Sequence, residues 1–249
     1  MLAEKPPIEP YSQIVVCATQ RSGSTMVCED ITNSGILGKP EEWFLSWNPE
    51  QKKDWQSELD AVKAKGSTEN GIFSVKLMAN QLRHVDACLS GIIEPGSDGP
   101  YPHLRGLFRD AVWVWVRRQD TVDQAISHYI AKKRGVYHTV EKTSGFVPGS
   151  SVTTKGFKDK DIPYGFQEIL SEWSRVERDN LVWNSFFDET GISPYVIWYE
   201  HAPKNAAVGV AAHFWMDRQI ETKPRNLVKL PSRRNMEIRK RFLADLFAA

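Results

Sequence analysis

Four short apolar runs alternate along the chain with longer segments in which apolar residues recur at helical spacing. The runs are QIVVCA (residues 13–18), GIFSVKLM (71–78), AVWVWVRR (111–118) and PYVIWYE (194–200). Each run is short and rich in β-branched or aromatic residues, and each predicts a buried strand. Because strands that alternate with helices form parallel sheets covered on both faces, the pattern predicts an α/β fold with a central parallel sheet flanked by helices.

Two segments show helical periodicity most clearly. The first has an apolar stripe at i, i+3, i+4, i+7 and i+8, formed by Val122, Ala125, Ile126, Tyr129 and Ile130. The second has a longer stripe that is closed by Gly191 and formed by Phe166, Ile169, Trp173, Val176, Trp183 and Phe186. These stripes predict two amphipathic helices, each with one face in the protein interior.

The remaining segments carry weaker signals. Residues 135–163 lack periodicity and contain clusters of Gly, Ser, Thr and Lys, which predicts a long loop of the kind that often serves as a lid or binding element. Residues 1–12 hold three prolines and are predicted to form an extended lead-in. Because the chain shows no internal repeat or low-complexity segment, we expect residues 1–249 to form a single domain.

Composition and charge narrow the class of protein. Of 249 residues, 41% are hydrophobic and 25% charged, which is ordinary for a soluble globular domain. The formal net charge of +1 provides no global field for nucleic acid or an anionic membrane, and no apolar run approaches the ~20 residues that span a bilayer. The three cysteines show no paired spacing, and the six histidines show no ligand spacing. We therefore expect a cytoplasmic protein with reduced thiols.

Directly after the first strand, the loop TQRSGST (residues 19–25) leads into an apparent helix. In doubly wound sheets this position binds anions, because the helix start offers unpaired N–H groups and the positive end of its dipole. Gly23 lets the backbone approach an oxyanion, while Ser22, Ser24 and Thr25 offer hydroxyl donors and Arg21 a fixed positive charge. The alternative is a plain strand-to-helix turn with capping serines.

Two absences distinguish this loop from the phosphate-binding loop of a nucleoside triphosphatase. The pattern GxxxxGK[ST] is not met, because no lysine precedes Ser24 or Thr25. The third predicted strand ends in Arg117 and Arg118, where an acid that fixes Mg²⁺ would be expected. We therefore expect a ligand that carries two separate anionic groups and needs no metal. A small-molecule kinase with a degenerate loop and a non-catalytic nucleotide-binding module remain alternatives.

The segment RRQDTVDQAISHY (residues 117–129) provides groups for the second anion. Asp120 suits a helix N-cap and Asp123 the first turn. Arg118 at the strand end and Ser127 two turns into the helix would converge on one phosphate. Taken singly, Arg118 is also typical of a solvated surface charge and Ser127 of a neutral helix residue.

Together, QRSGST, GKPEEWF (residues 38–44), FSVKLM and RRQDTVDQAISHY resemble the bacterial trehalose sulfotransferase family. This family is a branch of the sulfotransferases that use 3′-phosphoadenosine 5′-phosphosulfate (PAPS). The resemblance extends through YVIWYE to the basic segment SRRNMEIRKRF. It implies a sulfotransferase fold related to P-loop nucleotide kinases, sulfuryl transfer from PAPS to a carbohydrate or glycolipid hydroxyl, and a homodimer.

The resemblance also implies roles for individual residues. It implies that the 5′-phosphosulfate is bound by Arg21, Ser22, Gly23, Ser24 and Thr25. It implies that Arg118 and Ser127 bind the 3′-phosphate. Glu42 falls where the family places its catalytic glutamate, which implies that it is the general base for the acceptor hydroxyl, whereas Glu41 is interpreted as a solvated loop carboxylate.

Other positions bear on the acceptor. Lys39 stands where the family commonly carries an acidic residue that grips the sugar, so an acidic or differently substituted glycan or glycolipid becomes an alternative to trehalose. Lys76 lies in a K-x-M motif similar to the family's and is expected either to face the active site or to cap a strand end. Arg233 and Arg234 belong to the basic segment, which would fold over the nucleotide or form a solvated helix face.

Overall fold

The structure is a computed structural model and describes residues 12–156, 162–214, 216–217, 220–221, 223–229 and 233–248. Apart from residue 12, the predicted lead-in lies outside the described residues. The strands are β1 (Gln13–Ala18), β2 (Phe73–Met78), β3 (Ala111–Arg117), β4 (His138–Val140), β5 (Ser151–Thr153) and β6 (Tyr195–Trp198). The helices are α1 (Ser24–Asn33), α2 (Trp55–Gly66), α3 (Leu82–Leu89), α4 (Pro102–Leu107), α5 (Thr121–Arg134), α6 (Phe166–Thr190), α7 (Ala206–Ala212) and α8 (Arg233–Ala248).

The central sheet confirms the predicted parallel architecture. Four parallel strands lie in the order β2-β1-β3-β6, and the register places Ala18 of β1 beside Met78 of β2 and Val116 of β3. The carboxyl ends of these strands therefore meet at one edge. The third and fourth predicted runs are slightly longer than the strands, so that Arg118 and the short 3₁₀ turn Tyr199–His201 extend beyond this edge.

Helices cover both faces of the sheet, as the continuous burial of β1, β2 and β3 requires. One face packs against α2, α3, α4 and α6, and the other packs against α1 and α7. On α6, the Trp183 indole is fully buried and its Nε1 donates to the carbonyl of Ala18 at 2.9 Å. This hydrogen bond fixes the end of β1, the point at which the candidate anion-binding loop begins.

Both predicted amphipathic helices are confirmed. The Asp120 carboxylate caps α5 by accepting from the N–H of Asp123 at 2.8 Å, and Gly135 ends the helix in the left-handed conformation. The apolar stripe of α5 packs with those of α6 and α8 in a third cluster, and Gly191 ends the 25-residue α6. The helix that carries Ser127 is thus fixed at its start and along its buried face.

The prediction of an irregular loop over residues 135–163 is partly wrong. Two three-residue strands, β4 and β5, pair in parallel within it, and a 3₁₀ turn, Thr154–Gly156, follows. Strands of three residues are too short to show a period of two, which is why the pattern did not reveal them. Residues 157–161 lie outside the described part.

A carboxy-terminal strap, residues 223–229, joins α1 to the segment around β4. Asp30 of α1 is buried and accepts from Nε and Nη2 of Arg225 at 2.7 and 2.6 Å. Glu29, also buried, accepts from the N–H of Leu227 at 3.1 Å, and Val228 donates to the carbonyl of Thr139 at 2.8 Å. The strap therefore fixes β4 relative to the helix that follows the candidate anion-binding loop.

Two general expectations can be compared with the described residues. Within them, no helix is long and apolar enough to cross a membrane. The cysteines Cys17, Cys28 and Cys88 are free thiols, each buried.

Candidate functional site

The loop between β1 and α1 has the geometry of an anion cradle. Gly23 has φ 94°, and a Cβ at this position would overlap the ring of Tyr199. Arg21 also adopts a positive φ, 61°, which is uncommon for a residue with a side chain. The buried Gln124 amide supports the turn by donating to Thr19 Oγ1 at 2.8 Å and to the carbonyl of Gln20 at 2.6 Å. Backbone strain is thus held in place by buried contacts.

The interior of this loop contains a buried hydroxyl group without a hydrogen-bond partner among the described residues. Ser22 is fully buried, and its Oγ finds no hydrogen-bond partner among the described residues. Ser24 begins α1 and is 5% exposed, and the first N–H groups of the helix point towards the loop. A buried hydroxyl without a partner is costly, so a bound oxyanion would complete its hydrogen bonding. These residues therefore fit a phosphate or sulfate group.

Arg21 links the loop to the predicted second anion site. Its Nε donates to Ser127 Oγ at 3.2 Å, and its Nη1 donates to the carbonyl of Tyr137. Burial and the nearby charge of Arg118 lower the pKa of Arg21. The sequence placed Arg21 and Ser127 at opposite ends of a ligand, but in the structure they are in contact. Arg21 therefore lies between the two predicted anion sites.

Arg118 lies just beyond β3, where two long ion pairs hold it. Its nitrogens are 3.6 Å from carboxylate oxygens of Asp123 and of Glu200, and its side chain is 14% exposed. Its guanidinium carbon lies 4.9 Å from the ring centroid of Tyr199, the ring that also packs on Gly23. Because 3.6 Å exceeds hydrogen-bond length, Arg118 retains donors for a phosphate. Tyr199 connects the two halves of the site.

Glu42 and Lys76, predicted separately, form an ion pair next to the loop. Lys76 Nζ lies 2.9 Å from Glu42 Oε1 and 3.5 Å from Thr25 Oγ1. The Glu42 side chain is 25% exposed and the Lys76 side chain 10% exposed. The structure thus brings the candidate base, a lysine and a loop hydroxyl together. Lys76 therefore lies within β2 and beside the loop, and its role in the site stays a prediction.

Local backbone contacts explain how Glu42 reaches this position. The carbonyl of Glu41 accepts from the N–H of Lys76 at 2.9 Å, which docks the segment on β2. Trp43 Nε1 donates to the carbonyl of Lys39 at 2.9 Å, and the Phe44 side chain is buried in the core. The segment is therefore anchored on both sides of Glu42.

Three residues considered in the sequence lie outside this cluster. Lys39 is exposed, and within the described part of the chain its side chain makes no hydrogen bond or ion pair. Arg233 pairs with Glu237, and Arg234 donates to the carbonyl of Ile162 and pairs with Glu237. Lys39 remains within the anchored segment, whereas both arginines serve α8 and its contacts.

Two residues that sequence reasoning missed lie at the site. Tyr199 follows β6 and contacts the loop glycine, as described above. His138 begins β4, where burial together with the charges of Arg21 and Lys76 lowers its pKa to about 3. Tyr199 falls in YVIWYE, where no site residue was predicted, and His138 falls in the segment predicted as an irregular loop. Their positions depend on contacts between residues distant in sequence.

Among the residues that the structure describes, no three His, Cys, Asp or Glu side chains lie together as ligands would. Metal independence stays a prediction from the sequence.

Comparison with known proteins adds the family context. The model of the family described as Stf0 sulphotransferase matches residues 13–245. The chain is similar to a trehalose 2-sulfotransferase of Mycobacterium tuberculosis (strain ATCC 35801 / TMC 107 / Erdman), with 26% identity over 242 residues, 82% of each chain. It is also similar to a trehalose 2-sulfotransferase of Mycolicibacterium smegmatis (strain ATCC 700084 / mc(2)155), with 26% identity over 223 residues, 77% of this chain and 78% of the relative. The matched range includes all the site residues described above.

Proposed function

Because the chain belongs to the Stf0 sulphotransferase family, we propose that it transfers a sulfuryl group from PAPS to a carbohydrate hydroxyl. Membership of this family and the two relatives support a sulfotransferase enzyme. The observation that carries the mechanism is the contact of Lys76 with both Glu42 and Thr25. This lysine joins the candidate base to the anion-binding loop, as a direct transfer between donor and acceptor requires.

The donor occupies the site from the loop to Arg118. Ser22, Gly23, Ser24 and Thr25 bind the 5′-phosphosulfate through hydroxyl groups and the N–H groups at the start of α1. Arg118 and Ser127 bind the 3′-phosphate. Arg21, which contacts Ser127 from within the loop, helps to neutralise both ends. The unpartnered Ser22 hydroxyl and the need for glycine at position 23 support this assignment.

The chemical step is an in-line displacement at sulfur. The Glu42 carboxylate accepts the proton of the acceptor hydroxyl while the oxygen forms a bond to sulfur. The bond between sulfur and the bridging phosphate oxygen breaks, and its electron pair leaves with adenosine 3′,5′-bisphosphate (PAP). Lys76 and the loop donors stabilise the negative charge that develops on that oxygen. The products are a sulfate ester, PAP and a proton on Glu42.

We propose trehalose or a related disaccharide as the acceptor, because both relatives are named trehalose 2-sulfotransferases. The exposed cation of Lys39 near the Glu42 segment keeps an acidic glycan or a glycolipid as the alternative. The proposal further includes one catalytic domain, a homodimer, a cytoplasmic location and transfer without metal.

The proposal is tested by incubating the protein with labelled PAPS and trehalose in the presence of a chelator. Label should appear in the sugar, and a panel of acidic and lipid-linked sugars identifies the preferred acceptor. Capture of magnesium-loaded ATP with indifference to PAP would instead indicate a kinase.

Glu42→Gln tests the base. Transfer should fall by about 10²–10⁴-fold, the usual contribution of a general base, while PAP still binds. Glu41→Gln, a matched change at the adjacent carboxylate, should leave transfer near the wild-type rate. Near-normal transfer by Glu42→Gln would remove Glu42 from the mechanism.

A further inference from the structure

The backbone of β4 is fixed against the anion-binding loop. The carbonyl of Tyr137 accepts from Arg21, and His138 is the next residue. The N–H of His138 donates to the carbonyl of Ser150 at 3.3 Å, and Thr139 accepts from Val228 of the strap. The position of His138 relative to Arg21 is therefore set by contacts on both sides of β4.

Alternation along the extended chain assigns the His138 side chain to the side opposite that of Tyr137. The ring of Tyr137 lies 6.3 Å from that of His128 on α5, and successive side chains of an extended segment point to opposite sides. The imidazole of His138 is half-buried, and the charged groups that act on it are Arg21 and Lys76. The carboxylate of Glu42 is paired with Lys76. His138 therefore lies on the side of the site that carries the positive charges of Arg21 and Lys76.

This environment keeps the imidazole neutral in the free protein. Burial, and then the two cations, hold the pKa of His138 at about 3, far below the ordinary value near 6.5. An anion bound to Arg21 and Lys76 would reverse the local potential and favour the imidazolium. A neutral imidazole here also offers one N–H donor and one acceptor, and the described residues provide no side-chain partner for it.

We infer that His138 is a further donor-binding residue: its imidazole hydrogen-bonds to the sulfate or phosphate group held by Arg21 and Lys76, and takes up a proton when that group binds. The inference rests on the proposed function, because it requires an anionic donor in the site. It adds a residue whose charge depends on occupancy to the fixed charges of Arg21 and Lys76. Donor binding would then be coupled to proton uptake.

Calorimetric titration with PAP tests this coupling. Heats are measured near pH 7 in two amine buffers of different ionisation enthalpy, so that no buffer anion competes for the site. The difference between buffers gives the number of protons taken up. The wild type should take up as much as one proton more per PAP than His138→Gln, which should also bind PAP about tenfold more weakly. His84→Gln, a matched change at an exposed histidine of α3, should behave as the wild type.

A second measurement needs no variant of His138. In protein labelled at histidine carbons, one imidazole should remain neutral in the free protein down to pH 5 and be protonated at pH 7 with PAP bound. The inference is overturned if no imidazole changes its protonation on binding, or if folded His138→Gln matches the wild type in affinity and proton uptake. Failure of the wild type to bind PAP would overturn the proposed function and this inference with it.

Discussion

Substitution of Arg118 by alanine separates recognition of the 3′-phosphate from recognition of the rest of the nucleotide. The side chain is 14% exposed, and its partners Asp123 and Glu200 lie at 3.6 Å. Both carboxylates keep other contacts in the variant, since Asp123 pairs with Arg239 and Glu200 accepts from the N–H of Gln119. The loss of one guanidinium should therefore affect the bound phosphate more than the fold.

The magnitude follows from the contacts that would be lost. A hydrogen bond to a charged group contributes about 1.5–3 kcal/mol, and a guanidinium forms up to two with a phosphate. The ion pairs that Arg118 gives up on binding offset part of this sum. A net loss of about 2–3 kcal/mol corresponds to PAP affinity weakened by about 30- to 150-fold.

The assay is calorimetric titration with PAP and with adenosine 5′-monophosphate, which lacks the 3′-phosphate. Arg118→Ala should lose affinity for PAP and retain affinity for the monophosphate. Arg117→Ala is the matched control, because no phosphate contact is proposed for this neighbouring cation. Its guanidinium carbon lies 4.0 Å from the ring centroid of Trp115 and 4.6 Å from that of Trp198. The reasoning is refuted if Arg118→Ala weakens both ligands equally or neither.

Three further predictions concern the loop, the strap and β4. Gly23→Ala should weaken PAP binding at least tenfold and lower the thermal midpoint, because a side chain at φ 94° would meet Tyr199; unchanged calorimetry and melting would contradict this. Asp30→Ala should lower the free energy of unfolding in urea by about 3 kcal/mol, because it leaves Arg225 without its buried partner. A loss below about 1 kcal/mol would contradict a stabilising role of this ion pair in the strap. The neutral His138 of the folded state binds no proton between its pKa of about 3 and the unfolded value near 6.5, so stability should fall as pH decreases through this window, by up to about 1.4 kcal/mol per pH unit. His138→Gln should flatten that slope. An identical slope in the variant would refute the attribution of this pH dependence to His138.

Much of the fold could be predicted from local patterns. Each central strand is an apolar run bounded by loop residues, and α5 and α6 carry complete stripes with their caps at Asp120 and Gly191. The candidate anion-binding loop was predicted because strand, small residues and helix follow one another directly along the chain. In these cases the residues that decide the structure are neighbours in sequence.

The remaining features depend on contacts between distant residues. Arg225 reaches Asp30 across 195 positions, and this pair decides where the strap runs. His138 acquires its environment from Arg21 and Lys76, which lie on other elements. The pairing of Lys76 with Glu42 could be predicted only as two separate candidates, because the docking of the Glu42 segment on β2 is a tertiary contact. No spacing rule encodes these relations.

The most direct test of the account is a crystal structure of the protein with PAP. The account predicts the 5′-phosphate on Ser22 to Thr25 at the start of α1, with Lys76 beside it, and the 3′-phosphate between Arg118 and Ser127. A 3′-phosphate bound elsewhere, or a nucleotide outside the loop, would contradict the two-ended donor site.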